Sequence, residues 1–305
     1  MSLMKRIELL EKTRNLLMKA GFYCSNICNM RPSSFDFVAR RDNLFFIIKV
    51  LNNIDAISQE VANELISIAK HLNGVPIVVG KRTSLTLLEE DVVYFRHGLP
   101  IITFETLKNY LQGIPPVICA APGGFYVNIN GERLKKMRID KGLSIGQLAR
   151  VAGVSRRAIR MYEEGERTTI EVAEKIAEYI GDDFIKPINL MEKIEKEEIK
   201  IKAIENEIFK MLEEIGAFIL PTTRCPFHAI TELVKEKLIV GIKERRIIER
   251  ARIIANLSKV AEKHSVLFME SSIKKNIEGI PVIKKDELKK INEPERIIEL
   301  ILERE

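Results

Sequence analysis

The 305-residue chain has no tryptophan, only four histidines, and only four cysteines: Cys24, Cys28, Cys119 and Cys225. A structural zinc site takes two closely spaced pairs of Cys or His ligands. Cys24 and Cys28 supply half of one, and no second pair stands at that spacing. No metal and no other cofactor is therefore expected, and the thiols read as buried and free. Four scattered cysteines also make no disulfide framework, which fits a reducing compartment. No apolar run reaches the ~18 residues a membrane helix requires, and no secretory leader is visible. The expectation is a cytoplasmic protein with no membrane partner. A large excess of one sign of charge is lacking as well, since the net charge is only +6 with 30% charged residues. What the chain does have is 46% hydrophobic residues and enough length for two or three cored domains.

The modest net charge hides a local asymmetry. Residues 133–160 hold Arg133, Lys135, Lys136, Arg138, Lys141, Arg150, Arg156, Arg157 and Arg160 against the single acid Asp140. Residues 161–182 then swing acidic, with Glu163, Glu164, Glu166, Glu171, Glu174, Glu178 and Asp182 against Arg167 and Lys175. A short basic block in a near-neutral protein suits contact with phosphates, although most charge runs are simply solvated helix faces.

The helical pattern of the same region decides between them. A first helix is predicted over 132–141, stopped by Gly142. Ser144 caps a second, with Gln147 in capping-box position and Leu148, Ala149 and Val151 facing inward. Gly153 turns the chain, and Ser155 caps a third helix that runs to Glu163 before Gly165. Thr169 opens a fourth, with Val172, Ile176, Ala177 and Ile180 as its core face. Two short helices joined by a tight turn make a helix-turn-helix. The third helix can then enter a major groove with Arg156, Arg157 and Arg160, whose guanidinium forks match the acceptors of guanine. Ile159 and Tyr162 face the other way, while Ser144 and Ser155 offer hydroxyls and helix N-termini to phosphates.

Gly142-Leu143-Ser144, Gln147-Leu148-Ala149, Gly153-Val154-Ser155, Ile159, Tyr162-Glu163 and Gly165-Glu166-Arg167 strongly resemble the lambda-repressor/Cro family of helix-turn-helix domains. The resemblance implies a motif proper over Leu143–Tyr162 and a structural ion pair between Arg138 and Glu163. On the reading of the residues themselves, the expected DNA contacts are Ser144, Gln147, Ser155, Arg156, Arg157, Arg160, Lys135 and Lys136. Ile145 stands where that family commonly places a phosphate-holding glutamine, so the resemblance does not carry that contact over to this chain. The overall layout is similar to a group of archaeal transcriptional regulators. The implied partner is double-stranded DNA, as an inverted-repeat operator bound by a homodimer; no effector is indicated.

The two ends of the chain resemble each other. Gly98-Leu99-Pro100-Ile101-Ile102 aligns without a gap to Gly279-Ile280-Pro281-Val282-Ile283, and Leu44–Lys49 aligns to Leu238–Lys243. Each end alternates strands with helices and reads as a mixed α/β layer. Phe35-Asp36-Phe37-Val38-Ala39 followed by Ile47-Ile48-Lys49 resembles the PD-(D/E)xK nuclease core. In that core an aspartate and an acid-x-lysine hold a divalent metal. Here Ile47 stands where the second acid belongs. In the second copy His228 stands near the aspartate position, Gly241 replaces the acid, and Lys243 remains. These positions are degenerate, so no catalytic residue is assigned and no enzyme is expected; the alternative is a DNA-processing nuclease targeted by its helix-turn-helix. The expected fold class is therefore duplicated α/β flanking domains, with mixed nuclease-like sheets, around a central all-α helix-turn-helix domain. The expected boundaries are 4–114 for the first copy, 115–130 for a connector with a short strand, 131–190 for the helix-turn-helix and 191–305 for the second copy. Residues 191–215 read as one charged helix with Ile194, Ile201, Ile208 and Ile215 seven apart. That seam either dimerises or lies on its own domain's sheet.

Overall fold

The computed structural model describes residues 2–30, 32–192, 205–242 and 246–305. The first copy runs α1 (Ser2–Lys19), β1 (Tyr23–Cys24), β2 (Phe37–Arg41), β3 (Leu44–Asn53), α2 (Gln59–His71), β4 (Val75–Arg82), β5 (Val92–Arg96), β6 (Leu99–Ile102) and α3 (Phe104–Leu111). Gly21 ends α1 at φ +84°, and the amide of Phe22 bonds back to the Leu17 carbonyl, as a glycine cap does. Strand β3 is buried from Phe45 to Val50, so its apolar run serves both faces of the sheet.

The middle of the chain supplies β7 (Ile118–Ala121), β8 (Gly124–Ile129), α4 (Gly131–Asp140), α5 (Ile145–Ala152), α6 (Arg156–Glu163), β9 (Thr168–Thr169), α7 (Ile170–Ile180) and β10 (Ile185–Lys186). The second copy follows with α8 (Glu207–Glu214), β11 (Phe218–Pro221), β12 (Ala229–Leu233), β13 (Glu236–Ile242), α9 (Ile247–Ala261), β14 (His264–Met269), β15 (Asn276–Ile277), β16 (Ile280–Lys284), α10 (Lys285–Leu288) and α11 (Pro294–Arg304). The first copy orders its strands β1-β2-β3-β4-β6-β5 and the second β11-β12-β13-β14-β16-β15. The duplication seen in short sequence blocks thus returns as the same strand order.

The compact units divide the chain differently from the expected boundaries. One unit comprises the described residues of 1–50, 56–78 and 193–305; the other comprises 51–55 and 79–192. The first copy is thus shared between the two units, and the described residues of the second lie in the first unit. In the first unit, helix α9 packs on β2, and Arg40 donates from Nε and Nη2 to the carbonyls of Val260 and Ala261 at the end of α9, both at 2.8 Å. The buried carboxylate of Glu64, on α2, accepts from the backbone amides of Thr223 (2.7 Å) and Arg224 (3.1 Å) and from the Ser34 hydroxyl (2.9 Å).

In the second unit, residues 79–114 stay with the helix-turn-helix because strands tie them to it. β5 pairs in parallel with β7 (Val92 opposite Ile118), β7 forms a hairpin with β8, and β8 pairs with both β9 and β10. The expected connector 115–130 is this hairpin. The helical core reaches into it: Ile129 and Phe184 join Leu134, Met137, Leu148, Ala149, Ile159, Ile176 and Ile180 in one buried cluster. Ala152 is buried on α5, while Val151, expected in the core, is only half-buried.

Among the described residues, the helix expected over 191–215 is interrupted just before α8. Ile194 and Ile201 lie outside the described residues. Asn206 is extended (φ −136°, ψ 131°), and its side chain accepts from the Ile208 amide, starting α8 afresh. Ile208 and Met211 pack into the second copy's own core, so the described half of the seam lies on its own sheet.

Candidate nucleic-acid interface

Three side-chain-capped helices, α4, α5 and α6, together with α7 build the helix-turn-helix. Asn130 caps α4 by accepting from the Arg133 amide, and Ser144 caps α5 in a full capping box: its Oγ accepts from Gln147 N (3.2 Å), and Gln147 Oε1 accepts from Ser144 N (2.8 Å). The carbonyl end of Gln147 is thereby committed, and what it can still offer outward is its amide NH2. Gly153 takes the left-handed conformation (φ 68°, ψ 31°) that turns the chain, and Ser155 caps α6 through Ala158 N at 3.1 Å. Ile159 is fully buried under α6, whereas Arg156, Arg157 and Arg160 are exposed. Ser144, Gln147, Ser155, Lys135 and Lys136 are exposed as well.

Beneath this surface, Arg138 grips Glu163 with two bonds, Nε to Oε1 at 2.5 Å and Nη2 to Oε2 at 3.2 Å, and donates a third to the Leu143 carbonyl at 2.8 Å. Both side chains are buried, and the pair ties α4 to the end of α6. Two glycines that sequence reasoning passed over complete the packing. A Cβ on Gly131 would collide with the Glu163 carbonyl and come within 2.7 Å of Gly165 N. A Cβ on Gly146 would meet Arg156 Nε at 3.0 Å, so the absent side chain leaves room for the Arg156 guanidinium against the first turn of α5. Neither requirement leaves a local signal, because each depends on a neighbour far along the chain or across the turn.

The nuclease-like positions behave otherwise. Asp36 is fully buried; its Oδ1 accepts from Arg6 Nη2 (2.5 Å) with Lys49 Nζ at 4.0 Å, and its Oδ2 accepts from the Val50 amide (2.7 Å). Lys49 itself donates to the Ser33 carbonyl, and Ile47 is fully buried. In the second copy the Ile242 amide donates to His228 Nδ1 (3.0 Å), and Arg250 lies 3.1 Å from His228 Nε2. The backbone corrects the sequence alignment by two residues. Asp36 N bonds the Ile48 carbonyl and His228 N the Val240 carbonyl, which puts Gly241 in register with Lys49 rather than with Ile47. A side chain on Gly241 would strike Leu267, so that glycine serves packing. Lys243 lies outside the described residues.

A hard divalent ion needs carboxylates in its first coordination sphere. Here the single acid is occupied by a guanidinium and a backbone amide, and among the described residues no group of three His, Cys, Asp or Glu could hold a metal. The donor set does not fit the ion that a PD-(D/E)xK site uses. The four cysteines are free and buried. Burial pushes the Cys24 thiol up to about 11 and raises Cys225 well above the ordinary thiol range, so neither is a ready nucleophile.

Capped helices, an exposed arginine row and a buried ion pair define a helix-turn-helix protein of the DNA-binding class. Residues 134–181 match the Helix-turn-helix family model, and residues 6–116 match the PD-(D/E)XK superfamily domain. A protein of Archaeoglobus fulgidus named "Putative HTH-type transcriptional regulatory protein" is 36% identical over 301 residues, covering 97% of each chain. One of the same name from Methanosphaerula palustris is 38% identical over 301 residues, covering 96% of this chain and 98% of its own. A third, from Methanococcoides burtonii, is 36% identical over 311 residues. The chain belongs to this archaeal family of HTH-type transcriptional regulatory proteins. No solved structure matches it. Among the described residues, no helix is long and apolar enough to cross a membrane.

Proposed function

We propose that the protein is a sequence-specific regulator that reads double-stranded DNA in the major groove with α6. The observation that carries this reading is α6 itself: a short helix, capped by Ser155 and anchored by Ile159 and the Arg138–Glu163 pair, that turns Arg156, Arg157 and Arg160 to solvent. Anchoring matters because a base-reading guanidinium discriminates only when its backbone is held in register. Ser144, Gln147 and Ser155 sit at helix N-termini suited to phosphates, and Lys135 and Lys136 add sequence-independent attraction. One reading head per chain implies a homodimer on an inverted repeat, with half-sites about one helical turn apart.

Arg157→Ala is expected to cost about 1–3 kcal/mol on a selected operator and to relax preference at one base position, whereas Lys135→Ala should weaken operator and random DNA alike. Titrations of both DNAs check this; equal losses on both for Arg157→Ala would refute base reading by that residue.

A second reading, a nuclease aimed by its helix-turn-helix, draws on the match to the PD-(D/E)XK superfamily domain. The ligand chemistry opposes it. Purified protein, and equally Ile47→Glu, is expected to leave supercoiled plasmid intact in Mg²⁺ or Mn²⁺, since Arg6 already fills the place beside Asp36. Nicking that vanishes in Asp36→Ala would make the nuclease the better reading.

A further inference from the structure

The loop after β4 is unusually well built for something so exposed. The Thr83 hydroxyl accepts from the amides of Leu85 (3.1 Å) and Thr86 (2.9 Å). Asn53 bonds the Ser84 hydroxyl, and Asp55 accepts from the Ser84 amide (2.7 Å) while being held by Arg96 (2.8 Å). Leu88 is buried and roots the loop against Gly80. On this rigid frame Leu85 is 94% exposed and Leu87 66%, the two most exposed apolar side chains described in the unit that carries the helix-turn-helix. Ordering a loop costs conformational entropy, and two leucines held in water recover none of it.

The charges beside them identify the occupant. Lys81 and Arg82 precede the loop, and Glu89 and Glu90 follow it; all four are exposed, and none forms an ion pair among the described residues. A two-fold axis through the leucines would lay the basic pair of one copy over the acidic pair of the other, twice. Self-complementarity of this kind is what an isologous contact requires. We propose that the loop Thr83–Leu88 is the self-association surface of the DNA-reading unit and that its partner is a second copy of this chain. The inference rests on the dimeric reading above and gives it a location. Two leucines and four charges fall short of the roughly 800 Å² per partner of a standard interface, so the contact is weak in free solution and strengthened when two half-sites hold two chains together.

Sedimentation of the full chain, free and bound to an inverted-repeat operator, tests this. Wild type is expected to self-associate, and Leu85→Asp with Leu87→Asp to weaken that association by about thirtyfold or more, as loss of interface anchors does, while single half-site binding is retained. Lys81→Glu with Arg82→Glu should likewise dissociate the pair, and adding Glu89→Lys and Glu90→Lys in the same chain should restore it. Undiminished dimers in the leucine variant would overturn the assignment and leave the dimeric reading standing. Failure of the charge exchange to restore dimers would overturn the two-fold arrangement. A wild type that stays monomeric with and without operator would remove both.

Discussion

Gly131 sits where the first turn of α4 meets the end of α6, with no room for a methyl group against the backbone of Glu163 and Gly165. Backbone cannot swing aside as a long side chain can, so α4 would have to lift from α6 and strain the Arg138–Glu163 pair. Gly131→Ala is expected to destabilise the DNA-reading unit by about 1–3 kcal/mol, the usual cost of overpacking, measured as a lower urea midpoint at an unchanged m-value. The residues readable in advance were those whose role is local: Ser144 and Gln147 three apart, Ser155 before a helix, Gly153 after one. Arg6 was not readable, because its partner Asp36 lies thirty residues away and nothing in the spacing of α1 marks it.

Elements followed the same rule. Helices α5 and α6 are legible because caps and apolar period agree within a few residues, whereas the run 191–215 carries a helical period but is cut at Asn206 by its own capping side chain. The loop after β4 adds a pH-dependent element. The Ser84 amide, followed by Arg96, holds the Asp55 carboxyl below the usual carboxylate range. A carboxylate with a depressed folded pKa contributes order that is fully present above its unfolded value and is lost as pH falls through the folded one. Hydrogen exchange at the Ser84 amide should therefore quicken below the ordinary carboxylate range, after correction for intrinsic rates. Asp55→Asn should show the faster exchange already at neutral pH; a Ser84 amide indifferent to both changes would deny Asp55 its anchoring role.

At the scale of the molecule, the duplication was visible in the sequence and the union of the two copies was not. The contacts that join them, among them Arg40 on α9, Glu64 on the loop at Thr223 and Arg224, and the Ser34 amide on the Arg224 carbonyl, link residues well over a hundred positions apart. Glu64→Ala would leave the part-buried amides of Thr223 and Arg224 without their acceptor, at up to about 1 kcal/mol for each. Glu64→Gln keeps one acceptor oxygen and should lose less. The expected readout is a lower melting temperature in which protection of β2 and α9 disappears in one step. Independent melting of the two copies would show that they do not fold together.

The five residues Leu51–Asp55 belong to the unit that carries the helix-turn-helix although they lie between segments of the other. No single continuous stretch of the chain therefore encodes that unit. A gene fusion that cuts the chain between Asp55 and Val79 would spare every helix of the helix-turn-helix and still part the loop at Ser84 from Asn53 and Asp55, the residues that hold it. Recombination can move the helix-turn-helix of this family to another protein with the loop attached, but a piece that starts at Val79 leaves behind Asn53 and Asp55, the anchors of that loop.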